Sequence, residues 1–179
     1  MLNNEQDQPD RKVQADPVSV ARNIILRHLN LAPKSRLQLA QVLEKKGIPQ
    51  DAASIALDRL AEVGLIDDLA YAHLLVRSRC SSKRISKTLL IRELRQKGIC
   101  EEYIELSLAE LTPEDEYQMA LDLAAKKLRS MNGLAKEVVL RRVVGLLARK
   151  GYPNAISYKV MNNLQLDTQD LTRGDYYLG

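Results

Sequence analysis

Apolar residues along this chain recur three or four apart, the spacing that lines one face of a helix, and one arrangement of them returns three times. A leucine stands four residues before a glycine, a lysine directly before it, and an apolar residue directly after it. The three sets are Leu43, Lys46, Gly47 and Ile48; Leu94, Lys97, Gly98 and Ile99; and Leu147, Lys150, Gly151 and Tyr152. Ten residues beyond each glycine lies another apolar residue (Leu57, Leu108, Met161), and thirteen beyond it a further leucine (Leu60, Leu111, Leu164). The glycines are 51 and 53 residues apart in a chain that holds only eight of them. The pattern predicts a helix ending in a cation that complements its dipole, a glycine closing it in the left-handed conformation, and a second helix starting within two or three residues. Pro49 and Pro153 stand near that start, where proline sacrifices no hydrogen bond. The +10 and +13 offsets place two apolar residues on one face of the second helix.

Each set also has room for a helix upstream. Val20, Ile24 and Ile25 mark one from about residue 18 to residue 30. Ser35 then caps the next, with Gln38 as its capping-box partner. Asp67 and Asp68 open a helix carrying Tyr71, Leu74 and Leu75. Thr112 followed by Pro113, Glu114 and Asp115 is a strong helix start, and Met119, Leu123 and Leu128 follow at helical spacing. The expectation is an all-α chain of nine helices in three tandem three-helix repeats, helix-turn-helix-like in their last two helices. The repeats run 18–66, 67–112 and 113–166, with a polar, disordered arm over 1–17 and a frayed tail over 167–179.

Composition agrees. The 179 residues include 30 leucines and 17 alanines, six prolines, seven tyrosines, and neither Phe nor Trp. This argues against collagen-like, disordered and all-β chains. Two cysteines, Cys80 and Cys100, form neither a CxxC pair nor a disulfide framework, which suits a reducing cytoplasm. No apolar run approaches the roughly 18 residues of a membrane span, and the first residues, MLNNEQDQPDRK, lack the apolar stretch of a signal peptide.

Charge changes the picture more. The net charge of +4 hides a segregated pattern. From Arg77 to Gly98 there are eight cations (Arg77, Arg79, Lys83, Arg84, Lys87, Arg92, Arg95, Lys97) and one acid, Glu93. From Ile99 to Asp122 there are eight acids and no cation. From Leu123 to Gly151 there are again eight cations, among them Arg141, Arg142, Arg149 and Lys150, against Glu137. Solvated faces in which the acids of one helix offset the bases of the next are the bland explanation. A basic stripe facing a polyanion, or charged surfaces facing a protein, is the functional one, and eight cations on a single helix-loop-helix favour it. Aromatic residues are not interleaved there, so bases have no evident stacking platform. The partner-binding candidates are Arg77, Arg79, Lys83, Arg84, Lys87, Arg92, Arg95, Lys97, Arg141, Arg142, Arg149 and Lys150, chosen by charge density alone.

Catalytic signals are missing. His28 and His73 are isolated on helices, the cysteines lack zinc-finger spacing, and no phosphate-cradling or nucleophile-elbow motif occurs. Asp67 and Asp68 read as a helix cap rather than a pair of catalytic carboxylates. No cofactor, metal or enzymatic activity is expected.

These stretches resemble the RecX family, regulators of the recombinase RecA. Ala32 to Leu39 looks like the family's first-unit "RPxSxxEL" element, and Gly64 to Ala72 is similar to its "GxIDDxxYA" junction, the most specific match. Arg92 to Ile99 looks like "RELxxKGI", and Arg149 to Tyr152 resembles the third-unit "RRGF" turn, with tyrosine in the last place. The likeness covers residues 18 to 165 in the family's order. It departs in the loop from Arg79 to Ile85, which has no glycine where the family's "RxxKGxxxI" element usually carries one, and in the lack of Phe and Trp. The resemblance implies an elongated, curved, non-enzymatic protein that binds in the groove of the RecA–single-stranded DNA filament and inhibits RecA's ATPase, strand-exchange and coprotease activities. The implied setting is DNA repair and recombination and the SOS response in the cytoplasm, with a monomer as the simpler state. Two other readings stand beside it. A helix-turn-helix-like transcription regulator would bind a particular duplex tightly without RecA, and a helical scaffold with no nucleic-acid role would be indifferent to charge reversal at Arg92 and Arg95.

Overall fold

The computed structural model describes residues 16–131 and 133–166, which divide into two units at Asp67 and Asp68. The first unit holds α1 (Pro17–Leu31), α2 (Arg36–Lys45) and α3 (Gln50–Glu62). The second holds α4 (Asp68–Lys83), α5 (Lys87–Gln96) and α6 (Glu101–Leu108), followed by α7 (Pro113–Arg129), α8 (Lys136–Arg149) and α9 (Asn154–Asn163). No strand occurs among the described residues. The all-α class and the three tandem helix triplets are as the spacing predicts.

The helix stops follow the chemistry expected of them. Gly47, Gly98 and Gly151 lie at φ +70, +76 and +80. After each one the apolar residue donates its N–H back to the leucine carbonyl five residues earlier: Ile48 to Leu43, Ile99 to Leu94 and Tyr152 to Leu147, each at 3.1 Å. The glycine N–H bonds the carbonyl three residues before it, at 2.9 Å in all three turns. This is the Schellman closure, with glycine in the one position whose backbone disfavours a Cβ. The starts behave likewise. Ser35 and Gln38 form a reciprocal capping box on α2, and Thr112 and Asp115 form another on α7.

Each triplet buries its own apolar cluster. The leucine four before the glycine is the centre of each: Leu43, Leu94 and Leu147 are completely buried. The first helix of each triplet offers a completely buried alanine to its neighbours: Ala21, Ala72 and Ala120. α1 packs chiefly on α3, α4 on α6, and α7 on both α8 and α9. A methyl-sized side chain at these crossings lets the helix axes approach closely, so Leu, Ile, Val and Met, with Tyr152 in the third cluster, complete the cores without Phe or Trp.

The structure departs from the spacing in four places. α1 starts at Pro17, with the Asp16 carboxylate accepting from the N–H groups of Val18 and Ser19, so the last two positions of the expected arm belong to a helix and its cap. Residues 1–15 of that arm, and the tail over 167–179, lie outside the described residues. Leu57 and Leu60 share the buried face of α3, but Leu111 lies beyond the end of α6 and Leu164 is the C-cap of α9, so the +13 leucine is a helix-face residue only in the first triplet. On α7 the deeply buried positions are Ala120 and Ala124, with Met119, Leu123 and Leu128 half-buried around them. On α4, Leu74 is exposed while Leu75 and Val76 face the core.

Candidate functional site

The two basic segments, separated in sequence by the acidic stretch 99–122, meet at one place in the second unit, through residues more than sixty positions apart. The loop between α4 and α5 lies against the turn between α8 and α9. The Ser86 N–H donates to the Lys150 carbonyl at 2.9 Å, joining the start of α5 to the end of α8. The Lys150 ammonium donates to the Lys83 carbonyl at 2.8 Å, and the Tyr152 hydroxyl donates to the Arg84 carbonyl at 2.8 Å. Ser86 is completely buried and caps α5 through its hydroxyl, which accepts from the Leu89 N–H at 3.2 Å. Here the negative end of α8 faces the positive end of α5, a favourable alignment of dipoles. Lys83, Arg84, Lys87, Arg149 and Lys150 thus gather around a single junction.

Two acids from α7 oppose them. The Glu116 carboxylate accepts the Lys87 N–H at 2.9 Å, and Asp122 stands 3.9 Å from the Arg84 guanidinium. Arg84 lies at φ +45, in the left-handed region, within the loop that carries no glycine. Burial pushes the Tyr152 phenol far above its ordinary value, so the hydroxyl is a standing donor to the Arg84 carbonyl.

The twelve candidate cations separate by what holds them. Arg79, half-buried on α4, forms a bidentate pair with Glu93 of α5, its Nε 2.8 and 3.0 Å from the two carboxylate oxygens. That hydrogen bonding raises the Arg79 pKa and lowers that of Glu93. The one acid of the first basic segment therefore braces α4 against α5, and Arg79 is part of the brace. Arg95 reaches across the Gly98 turn to Glu101, at 2.7 and 2.9 Å. Arg84 and Lys150 serve the junction, and Lys97, the half-buried C-cap of α5, is also engaged within the protein. Lys83, Arg77, Lys87, Arg92, Arg141, Arg142 and Arg149 are exposed, and none of their side chains forms a hydrogen bond or ion pair among the described residues. On α8, Arg141, Gly145 and Arg149 succeed one another at four-residue steps, with Arg142 beside them, making one basic face. The Arg149 guanidinium lies along that face, 3.3 Å from where a Cβ on Gly145 would stand.

Charge density alone therefore overstates the free surface, because it does not distinguish a cation inside an ion pair from one in water. Sequence reasoning also missed Ser86, a second buried serine twelve residues before a repeat glycine, as Ser35 is before Gly47. Beside the junction, α4, the end of α6 and α7 enclose a groove of about 470 Å³, lined by Arg77, Cys80 and Arg84 on one side and Asp115 and Asp122 on another. No cluster of three His, Cys, Asp or Glu residues that could hold a metal occurs among the described residues, and no helix there is long and apolar enough to cross a membrane.

Family models for the three three-helix domains of RecX match this chain in order: the first over residues 21–60, the second over 67–108 and the third over 114–161. The chain belongs to the RecX family. Its RecX relatives include Regulatory protein RecX of Streptomyces coelicolor, 44% identical over 146 residues, or 82% of this chain and 78% of that one. Regulatory protein RecX of Mycolicibacterium smegmatis is 40% identical over 163 residues, 87% of each chain. The fold is similar to the crystal structure of RecX from Lactobacillus salivarius, with a TM-score of 0.72 at 23% identity over 86% of this chain and 99% of that one.

Proposed function

We propose that this RecX-family chain is a non-enzymatic cytoplasmic regulator that binds the RecA–single-stranded DNA filament as a monomer and inhibits RecA, in the service of DNA repair and recombination. Direct contact with the phosphodiester backbone is assigned to the exposed cations of the second unit: Arg77, Lys83, Lys87 and Arg92 on one segment, and Arg141, Arg142 and Arg149 on the other.

The observation that carries this reading is the meeting of the two basic segments at the Ser86–Lys150 junction. Cations scattered over separate faces would each displace few counterions. Cations gathered on adjoining helices neutralise several phosphates of one strand together, and the affinity gained by counterion release grows with that number. Two of the acids between the segments in sequence are offset by ion pairs, Glu101 with Arg95 and Asp122 with Arg84, which limits their opposition to the basic faces.

The test is a titration of RecA's single-stranded-DNA-dependent ATP hydrolysis with the purified protein. Slowing at substoichiometric amounts is the expected result, and no effect up to equimolar protein rejects the reading. Tight binding to one particular duplex in the absence of RecA would favour a transcription regulator instead.

A further inference from the structure

We propose that the α8–α9 turn of the third triplet is a clasp that positions the basic loop of the second, with Tyr152 as its positioning residue, so that the two basic segments act as one binding surface. This rests on the polyanion-binding reading above.

The second and third triplets bury separate apolar clusters, one built around Leu90 and Leu94 and the other around Leu140 and Leu147. Polar contacts join them at this turn. Three hydrogen bonds, from the Ser86 N–H, the Lys150 ammonium and the Tyr152 hydroxyl, tie residues 83–86 to residues 150–152. The approach is close enough to constrain the glycine itself. A Cβ on Gly151 would lie 2.5 Å from both the Leu89 Cγ and the Ser86 Oγ. At Gly47, which has nearly the same φ, a Cβ would meet nothing within 4 Å. The third repeat glycine therefore does a job the first does not: it admits the start of α5.

The clasp also answers a local conflict. The loop before α5 has no glycine, yet its backbone passes through the left-handed region at Arg84, a conformation an ordinary L residue holds only when its surroundings impose it. The carbonyl of Arg84 is the group that Tyr152 holds. Tyr152 is the buried aromatic of the third core, and its ring needs only apolar packing. The hydroxyl is the added feature, and it is directed at the strained residue. A loose loop would leave the segments around Lys83 to Arg92 and Arg141 to Arg149 free to move independently, and the advantage of binding one strand through both together would fall.

Tyr152→Phe removes the hydroxyl and keeps the ring, and Gly151→Ala disturbs the same contact without altering charge. Tyr158→Phe, at an exposed tyrosine of α9, is the matched control. Two quantities are read: amide hydrogen exchange at Ser86 and Lys87, and binding of a fluorescein-labelled oligo(dT) strand across a salt series. Tyr152→Phe should speed exchange at Ser86 by about tenfold, the scale of an unsatisfied buried acceptor, weaken oligo(dT) binding by about tenfold or more, and flatten its salt dependence. Gly151→Ala should do the same and Tyr158→Phe neither. Unchanged binding by both clasp variants, with the wild-type protein binding, overturns the positioning role. Unchanged exchange at Ser86 overturns the clasp. Wild-type protein that fails to hold the strand at low salt overturns the polyanion reading instead, and the exchange measurement still judges the clasp.

Discussion

Alanine at Gly151 and alanine at Gly47 form a matched pair that separates backbone strain from contact between triplets. Both glycines close a helix in the same way and both have positive φ, +80 and +70. An L residue forced into that region costs about 1–2 kcal/mol, and this component is common to the two variants. Only at Gly151 does the new methyl collide, with Leu89 Cγ and Ser86 Oγ each 2.5 Å away and Leu89 Cδ1 at 3.2 Å. Overpacking of a well-filled site adds about 1–3 kcal/mol. Gly47→Ala should therefore destabilise the first unit by about 1–2 kcal/mol, and Gly151→Ala should destabilise the second by about 2–5 kcal/mol. Urea unfolding followed by helical circular dichroism, analysed with one slope for each unit, measures both. Placing Gly151→Ala in a Leu89→Ala background should reduce its cost, because part of the collision is removed; the cycle gives the coupling directly. Equal costs at the two glycines, or no coupling to Leu89, would show that the α5 start does not press on the turn.

Two further outcomes follow from ionisation. Glu93 has its pKa lowered by the Arg79 hydrogen bonds, so the pair stabilises the fold above the ordinary glutamate value of about 4.3 and loses that effect as pH falls through the lowered one. Glu93→Gln should cost about 1 kcal/mol at neutral pH, the upper range for a partly exposed pair, and the gap to the wild-type protein in urea midpoint should close on acidification; a gap that persists in acid refutes the assignment. Cys80 is half-buried, and its thiol pKa is raised by burial and by the nearby acids Asp115 and Glu116, whereas Cys100 is exposed. A thiol reagent at mildly alkaline pH should label the exposed Cys100 first and Cys80 slowly, because burial both shields the Cys80 thiol and disfavours its thiolate; mapping the labelled peptides checks the order, and faster labelling at Cys80 contradicts it.

How much of this was legible in the sequence divides along the range of the interactions. The helix stops at Gly47, Gly98 and Gly151 and the caps at Ser35 and Thr112 could be read because every group involved lies within six residues. Local chemistry decides those positions, and the structure follows it. The buried alanines of α1, α4 and α7 were hidden, since alanine occurs equally on exposed helix faces and only the crossing of another helix distinguishes them. The candidate site was legible as charge but not as availability. Arg79 looks like any other member of its run until Glu93, fourteen residues on, is seen to take both its donors. The second task of Gly151 and the partner of the Tyr152 hydroxyl depend on residues more than sixty positions away, and no local pattern announces them.

The span between Arg84 and Tyr152 also bears on the order in which the protein is made. The carbonyl and the hydroxyl that meet there are 68 residues apart, so a ribosome adding 5–20 residues per second needs roughly 3–14 s to deliver the second after the first. The residues that form the apolar cluster of the second triplet have all been added by then, while the left-handed turn at Arg84 still lacks its hydrogen-bond partner. The growing chain thus passes through an interval in which the loop between α4 and α5 is not yet fastened at Arg84. Completion of the nascent third triplet ends that interval.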